Sequence, residues 1–369
     1  MTAEGPVGSA RPGAGWRLLA FAYLGVLVLL ILLGIAVFVL GDPRSAEPVV
    51  RFTLPDRPRN VATAPVPQGP ALPTPPSATP SAKPGETIVP PPVVPPHITQ
   101  AVYAGSALVA DPALIENTDQ GPLPRIAVDG TPPMRAYAAA AIENGKPRIA
   151  IVVSGLGISA KATAAALASL PPQVTLAFAP YAADVQRWVA EARRQGHEVL
   201  LEVPMEPFDF PDSDPGPHTL RSGVGEEANT ERLVWALTRF TGYTGVTNLL
   251  GGRLLSDPDS LEPVMTYLAR RGLLFFDNGA ATHSAAPDVA ARAGVSFVQA
   301  TATIDSIQTA MEIDRQLSDL ESQARAHGTA SGSGFLYPVT VERVSQWAQG
   351  LPGRGFVLVP ASAIVLPKK

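Results

Sequence analysis

The chemistry open to this chain is set by a short roster of side chains. It has no cysteine and only five histidines, His97, His197, His218, His283 and His327. Disulfides, thiolate nucleophiles and cysteine-liganded zinc are therefore excluded. Any metal centre or proton shuttle must draw on those histidines and on carboxylates. The densest group is "PMEPFDFPDSDPGPH", where Glu206, Asp209, Asp212 and Asp214 precede His218. Such a set can hold a cation. Its prolines equally describe a fixed loop with carboxylates facing water, which is the reading we adopt; the loop is still the first candidate for a ligand contact. His197 opens "HEVLLEV" with no second histidine placed to join it, so it reads as a hydrogen-bonded histidine at a strand start before it reads as a ligand. Asp277 ends "LLFFD", either lining the mouth of a barrel or making a structural hydrogen bond. Asn248, Gly251, Gly252 and Arg253 lie at and after the end of a strand-like run. Paired glycines admit close backbone approach and an arginine can hold an anionic group, although a turn with a surface arginine accounts for them as well.

The elements that must position these groups lie C-terminal to residue 146. Strand-like runs at Ile149–Val153, Val174–Ala177, Glu198–Val203, Gly245–Leu249, Leu273–Asp277, Val295–Val298, Ala330–Gly334 and Phe356–Val359 are separated by helical patterns. The helix from Pro258 is well punctuated, with Asp257 as cap and Gly272 at the exit. Strict alternation implies an α/β domain with a parallel sheet, and seven or eight such units favour a closed or nearly closed (β/α) barrel. Trp188, Trp235 and Trp347 fall in helical patterns and read as packing residues before they read as a sugar-stacking platform. "PRIAIVVSGLGIS" is a strand that ends in a glycine turn and a helix, the place where α/β proteins put catalytic groups. It carries no carboxylate, histidine or cysteine. Ser154 lacks the glycine two residues before it that a nucleophile elbow requires.

Ahead of the barrel the composition changes twice. Residues 18–40 contain no charge and are long enough to cross a bilayer as one helix. The run exceeds the apolar core of a cleaved signal peptide, so we expect an uncleaved single-pass anchor ahead of the alternative, a cleaved signal, with residues 1–17 cytoplasmic and the folded part outside, on the periplasmic side of the inner membrane. Seventeen of the forty prolines lie between Pro43 and Pro96, so residues 41–106 read as a disordered, semi-extended linker. Residues 107–146 read as an ordered arm packed on the barrel of residues 147–369. The net charge of −4 and the absence of a basic block give no reason to expect nucleic acid as a partner.

From about Leu114 to Val365 the chain resembles the divergent polysaccharide deacetylase family. The stretches that carry the resemblance are "GPLPRIAVDGTPPMRAYA", "PRIAIVVSGLG", "LPPQVTLAFAPYAADVQRWVAEARRQGHEVLLEVPMEPFDFPDSDPGP", "FTGYTGVTN", "RRGLLFFDNG" and "LYPVTVERV". The resemblance implies a deformed (β/α) barrel and carbohydrate esterase chemistry. A divalent metal such as zinc activates water, a carboxylate takes the proton and an imidazole protonates the leaving amine. Against the family pattern, Ser154 and Gly155 stand where paired aspartates are expected, and Leu249 and Phe335 stand where histidines are expected. Asp277, His197, Glu206 and Asp209 are kept. The resemblance thus implies inherited architecture whose metal and acid/base groups have been lost, with no metal or cofactor expected. The retained role would be binding a glycan or an envelope protein in carbohydrate or cell-wall metabolism. Two alternatives stand beside it: an active deacetylase rebuilt around Asp277, His197 and the Glu206–Asp214 loop, and a scaffold that binds no glycan.

Overall fold

The computed structural model of the chain describes residues 23–27, 110–142 and 144–365. The chain divides into two compact units, residues 1–88 and 89–369. In the first, residues 23–27 form a helical stretch; the rest of the expected anchor, the cytoplasmic N-terminus and the Pro-rich linker lie outside the described residues. Among the described residues no helix is long and apolar enough to cross a membrane.

The second unit opens with an antiparallel hairpin, β1 (Ile115–Thr118) and β2 (Gly121–Pro124), and a short helix, α1 (Pro133–Ala136). Alternation follows: β3 (Arg148–Leu156), α2 (Ala160–Ser169), β4 (Thr175–Phe178), α3 (Val185–Arg194), β5 (Val199–Met205), α4 (Glu226–Leu237), β6 (Gly245–Leu250), α5 (Gly252–Leu255), α6 (Pro258–Arg270), β7 (Leu274–Asp277), α7 (Ala286–Ala293) and β8 (Ser296–Gln299). The chain ends with β9 (Ala302–Thr303), α8 (Ala310–His327), β10 (Thr329–Phe335), α9 (Pro338–Gly350) and β11 (Val357–Leu358). The strand order is β8-β7-β6-β5-β4-β3-β10-β9 and every pairing in this sheet is parallel. The arrangement fits a deformed (β/α) barrel. The seam between β8 and β10 is joined by Thr301 N–H donating to the Ser331 carbonyl and Ser331 Oγ donating to the Gln299 carbonyl.

The elements form where local chemistry directs them. Strands such as β3 and β5 are buried along their length, so they read as continuous apolar runs. Helix α3 places Val185, Trp188, Val189 and Ala192 on one buried stripe. Asp257 caps α6 through the Ser260 N–H, with Pro258 at the first position. Inside the barrel, Ala150, Val152, Ala177, Leu200, Leu274 and Phe276 form one apolar cluster; residues alternating with them face the helices.

One expectation is corrected. The eighth strand run, Phe356–Val359, is not a stave of the barrel. Strand β11 is two residues long and pairs only with Arg148 and Ile149 of β3. Strand β10 holds one edge of β3 along its whole length, so β11 has only the stretch of the other edge before β4 begins. The hairpin and β9 carry no strand signal in the sequence, because such short segments lack an alternating pattern. The arm meets the barrel through the Arg271–Glu116 ion pair, Met134 N–H to the Gly272 carbonyl at 3.1 Å and Arg193 Nη1 to the Tyr137 carbonyl at 2.6 Å.

Candidate functional site

Because all the barrel strands are parallel, their C-terminal ends share one rim. Ser154 and Phe335 are paired residues at the ends of β3 and β10. Leu249 lies near the end of β6, paired with Pro204. Ser154, Leu249 and Phe335 line one open cleft of about 440 Å3 together with Asn248, Leu250, Asn278, Thr303, Asp305, Ser333 and Tyr337. Residues separated by 181 positions in the chain, Ser154 and Phe335, are thereby brought to one mouth.

Gly155 explains the local shape. Its φ of +87° is a conformation that side chains with a Cβ rarely adopt, and the β3–β4 register shifts between Val153 and Leu156. A Cβ built on Gly155 would lie 2.7 Å from Phe335 Cε2 and closer still to Cζ. The phenyl ring thus occupies the volume into which any side chain at 155 would project. The two substitutions are sterically one feature: the ring fills what a carboxylate would need.

The fit of these residues to a divalent metal follows directly. Leu249 and Phe335 have no donor atoms, Gly155 has no side chain, and Ser154 is a weak neutral ligand. Among the described residues no group of three or more His, Asp or Glu side chains is placed to hold a metal ion. The residues present do not fit the metal that the family chemistry uses.

The polar groups on the rim are largely engaged with one another. Asn248 Nδ2 donates to the Leu250 carbonyl at 2.6 Å and to Asn278 Oδ1 at 2.7 Å, while its Oδ1 accepts from Asn278 N–H at 2.9 Å. Asn278 Nδ2 donates to the Asn248 carbonyl at 2.7 Å, and Ser333 Oγ to the Asn278 carbonyl at 2.6 Å. Asp277 is buried outside this cleft. Its carboxylate accepts from Gly279 N–H at 2.9 Å, Ser284 Oγ at 2.8 Å and Gln299 Nε2 at 3.3 Å, which ties the loop after β7 to β8.

Glu206 departs from the expected water-facing loop. It is only 4% exposed. Its Oε2 accepts from Ser222 N–H at 2.7 Å, its carbonyl accepts from Arg253 and Leu254 N–H, and its N–H donates to the Leu220 carbonyl. Burial follows because both feet of the loop and the start of α5 converge on this residue. Arg253 reaches Glu206 at 3.6 Å, with its side chain half in solvent. Asp209, Asp212 and Asp214 do face water; Asp209 accepts from Ser213 Oγ at 2.6 Å. His218 stacks on Trp235 with centroids 3.7 Å apart, and burial first, then Arg239 and Arg232, lower its pKa.

His197 is buried and bonded through Nδ1 to the Val174 carbonyl at 2.9 Å; burial holds its pKa below the usual histidine value. It precedes β5, so it lies at the opposite end of the barrel from the mouth. Seven strand residues, roughly 20 Å, intervene. The structure therefore does not bring His197, Asp277 and the Glu206–Asp214 loop together into one centre.

Two carboxyls toward the mouth carry no mark in the sequence reading. Glu202, on β5, points into the barrel and accepts from Gly155 N–H. Its Oε2 and Thr247 Oγ1 on the paired position of β6 are buried without hydrogen-bond partners. Burial pushes its pKa up to about 8, against the opposing pull of Gly155 N–H. Asp305 lines the mouth and accepts from Phe335 N–H at 2.7 Å and Thr340 Oγ1 at 2.8 Å; burial raises its pKa too. A carboxylate inside the apolar run "VLLEVPM" was a usable signal for Glu202. "TIDSI" held no comparable signal for Asp305.

Residues 151–365 match the model of the family described as divergent polysaccharide deacetylase. An uncharacterized protein of Agrobacterium tumefaciens C58 has a similar structure, with a TM-score of 0.65 and 41% identity, covering 66% of this chain and 100% of that one. The uncharacterized protein YibQ of Escherichia coli K12 is 26% identical over 219 residues, 59% of this chain and 67% of its own length. An uncharacterized protein of Haemophilus influenzae is 26% identical over 205 residues, 56% and 72% respectively.

Proposed function

We infer, from the premise that the chain belongs to the divergent polysaccharide deacetylase family, that its barrel is a catalytically degenerate member that binds at the mouth without hydrolysing. The observation that carries this is the Phe335 ring standing where a side chain at 155 would project. A site that had lost a single ligand could be rewired. Here the volume of one family aspartate is filled by the residue that replaces a family histidine, and Leu249 removes a second imidazole. Acid, base and ligand positions are then lost together. What remains is an open cleft suited to recognising a glycan or an envelope protein in carbohydrate or cell-wall metabolism. In the same proposal residues 18–40 anchor the chain in the inner membrane, and the Pro-rich segment lets the barrel act at a distance on the periplasmic side.

The test is metal analysis of the purified full chain together with acetate release from an N-acetylated oligosaccharide. The expected result is no stoichiometric divalent metal and no release above buffer. Stoichiometric metal with acetate release abolished by a chelator would overturn the proposal and restore the rebuilt deacetylase.

A further inference from the structure

Between residues 147 and 365 the described chain exposes six large apolar side chains: Ile158, Tyr181, Phe208, Leu250, Ile307 and Met311. All six lie on segments that leave the C-terminal ends of barrel strands, after β3, β4, β5, β6 and β9. Four lie in the loops themselves, Leu250 is the last residue of β6, and Met311 lies in the first turn of α8. Scattered surface apolars need no explanation, whereas apolars gathered on one rim mark a contact surface. Of the six, Leu250 lines the cleft whose walls also include Leu249, Phe335 and Tyr337.

Leu250 adds an independent observation. Its φ is +58°, one of only two positive values among the described non-glycine residues. A leucine is disfavoured there, and asparagine or aspartate would be more at ease. The strained conformation turns an apolar side chain 39% into solvent at the lip of the cleft. A residue kept in a costly conformation with its apolar side chain in water points to a use for that side chain.

We propose that the mouth docks an extended segment of another protein, which seats an aliphatic or aromatic side chain against Leu249, Leu250 and Phe335 and sets lysine or arginine against the overhanging loop. The charge of that loop selects this occupant. From Met205 to Pro217 it contains no Lys or Arg, and Asp209, Asp212 and Asp214 are all exposed. An anionic lipid surface would be repelled. A glycan is a poorer match for the cleft, because Asn248, Asn278 and Ser333 already satisfy one another, so sugar hydroxyls placed against them would lose their water partners. The proposal rests on the reading of the mouth as a binding cleft without hydrolysis.

The probe is a random twelve-residue peptide library displayed on phage and selected on the purified full chain. The expected result is enrichment of peptides with an aliphatic or aromatic residue flanked by Lys or Arg. A synthetic peptide of the enriched sequence should bind at least tenfold more weakly to Leu250→Asn, a change that suits the backbone conformation and should not lower the melting temperature. Phe208→Ser should weaken it as well, and joint replacement of Asp209, Asp212 and Asp214 by Asn should reduce both affinity and its salt dependence. The proposal is overturned by no enrichment, by enriched peptides lacking either feature, or by equal binding to Leu250→Asn. It is also overturned if chitin oligomers or lipid vesicles bind in a Leu250-dependent way while peptides do not; that outcome leaves the non-hydrolytic cleft standing. Metal-dependent acetate release would remove the non-hydrolytic reading by itself, whatever the peptides do.

Discussion

Replacing Gly155 by alanine tests whether the Phe335 ring and the missing side chain at 155 are one steric feature. Two costs should add in the native protein. A Cβ at φ +87° strains the backbone by about 1–2 kcal/mol. The new methyl would also meet the phenyl ring 2.7 Å from Cε2, an overpacking that costs about 1–3 kcal/mol. Gly155→Ala alone should therefore destabilise by about 2–5 kcal/mol. Phe335→Ala alone removes a partly buried ring and should cost up to about 3 kcal/mol, the value of a fully buried side chain. In the double variant the clash is gone and only the backbone strain and the lost ring remain. The sum of the single effects should then exceed the double effect by about 1–3 kcal/mol. Urea unfolding followed by tryptophan fluorescence reads this as a shift in midpoint at constant slope. Additivity within about 0.5 kcal/mol would show that the ring yields freely and would refute the argument that it closes the site to a carboxylate.

Glu202 should make stability fall as pH rises. Its ordinary pKa of 4.5 in the unfolded chain becomes about 8 in the fold, so between those values the folded state holds a proton that the unfolded state has released. Stability is full below about pH 4.5 and declines by up to roughly 1.4 kcal/mol per pH unit until about pH 8. Glu202→Gln should flatten that slope in unfolding curves measured from pH 5 to 8; an unchanged slope would remove Glu202 as its cause. Glu206→Ala strips the acceptor from Ser222 N–H and should cost about 1–3 kcal/mol. Arg253→Ala, whose side chain is half in solvent, should cost under about 1 kcal/mol, and equal effects would mean the ion pair is the stronger tie. Gly155→Asp should gain no zinc affinity by calorimetry, whereas Ser154→Asp, Gly155→Asp, Leu249→His and Phe335→His together should gain it. Zinc binding by the single variant would show that Phe335 does not block the position.

What the sequence determined by itself is what neighbouring residues decide among themselves. The runs at β3 and β5, the stripe on α3 and the cap at Asp257 are set by periods of two or 3.6 residues and by local hydrogen bonds. From these the parallel α/β barrel and its mouth were legible, and the family resemblance marked Ser154, Gly155, Leu249 and Phe335 as the altered positions. Only the order of the strands in the sheet decided what those positions do to one another. Side by side, β3 and β10 set Phe335 over Gly155 across 180 positions of chain. The same order sent the Glu202 side chain across β4 to the Gly155 amide, and tertiary packing buried Glu206 where a loop and a helix start converge. It separated His197 from the mouth by the length of β5. Such contacts depend on which strand ends meet and in what register. No local pattern records that, because a side chain's partner across a barrel is chosen by the strand order and not by its neighbours in sequence.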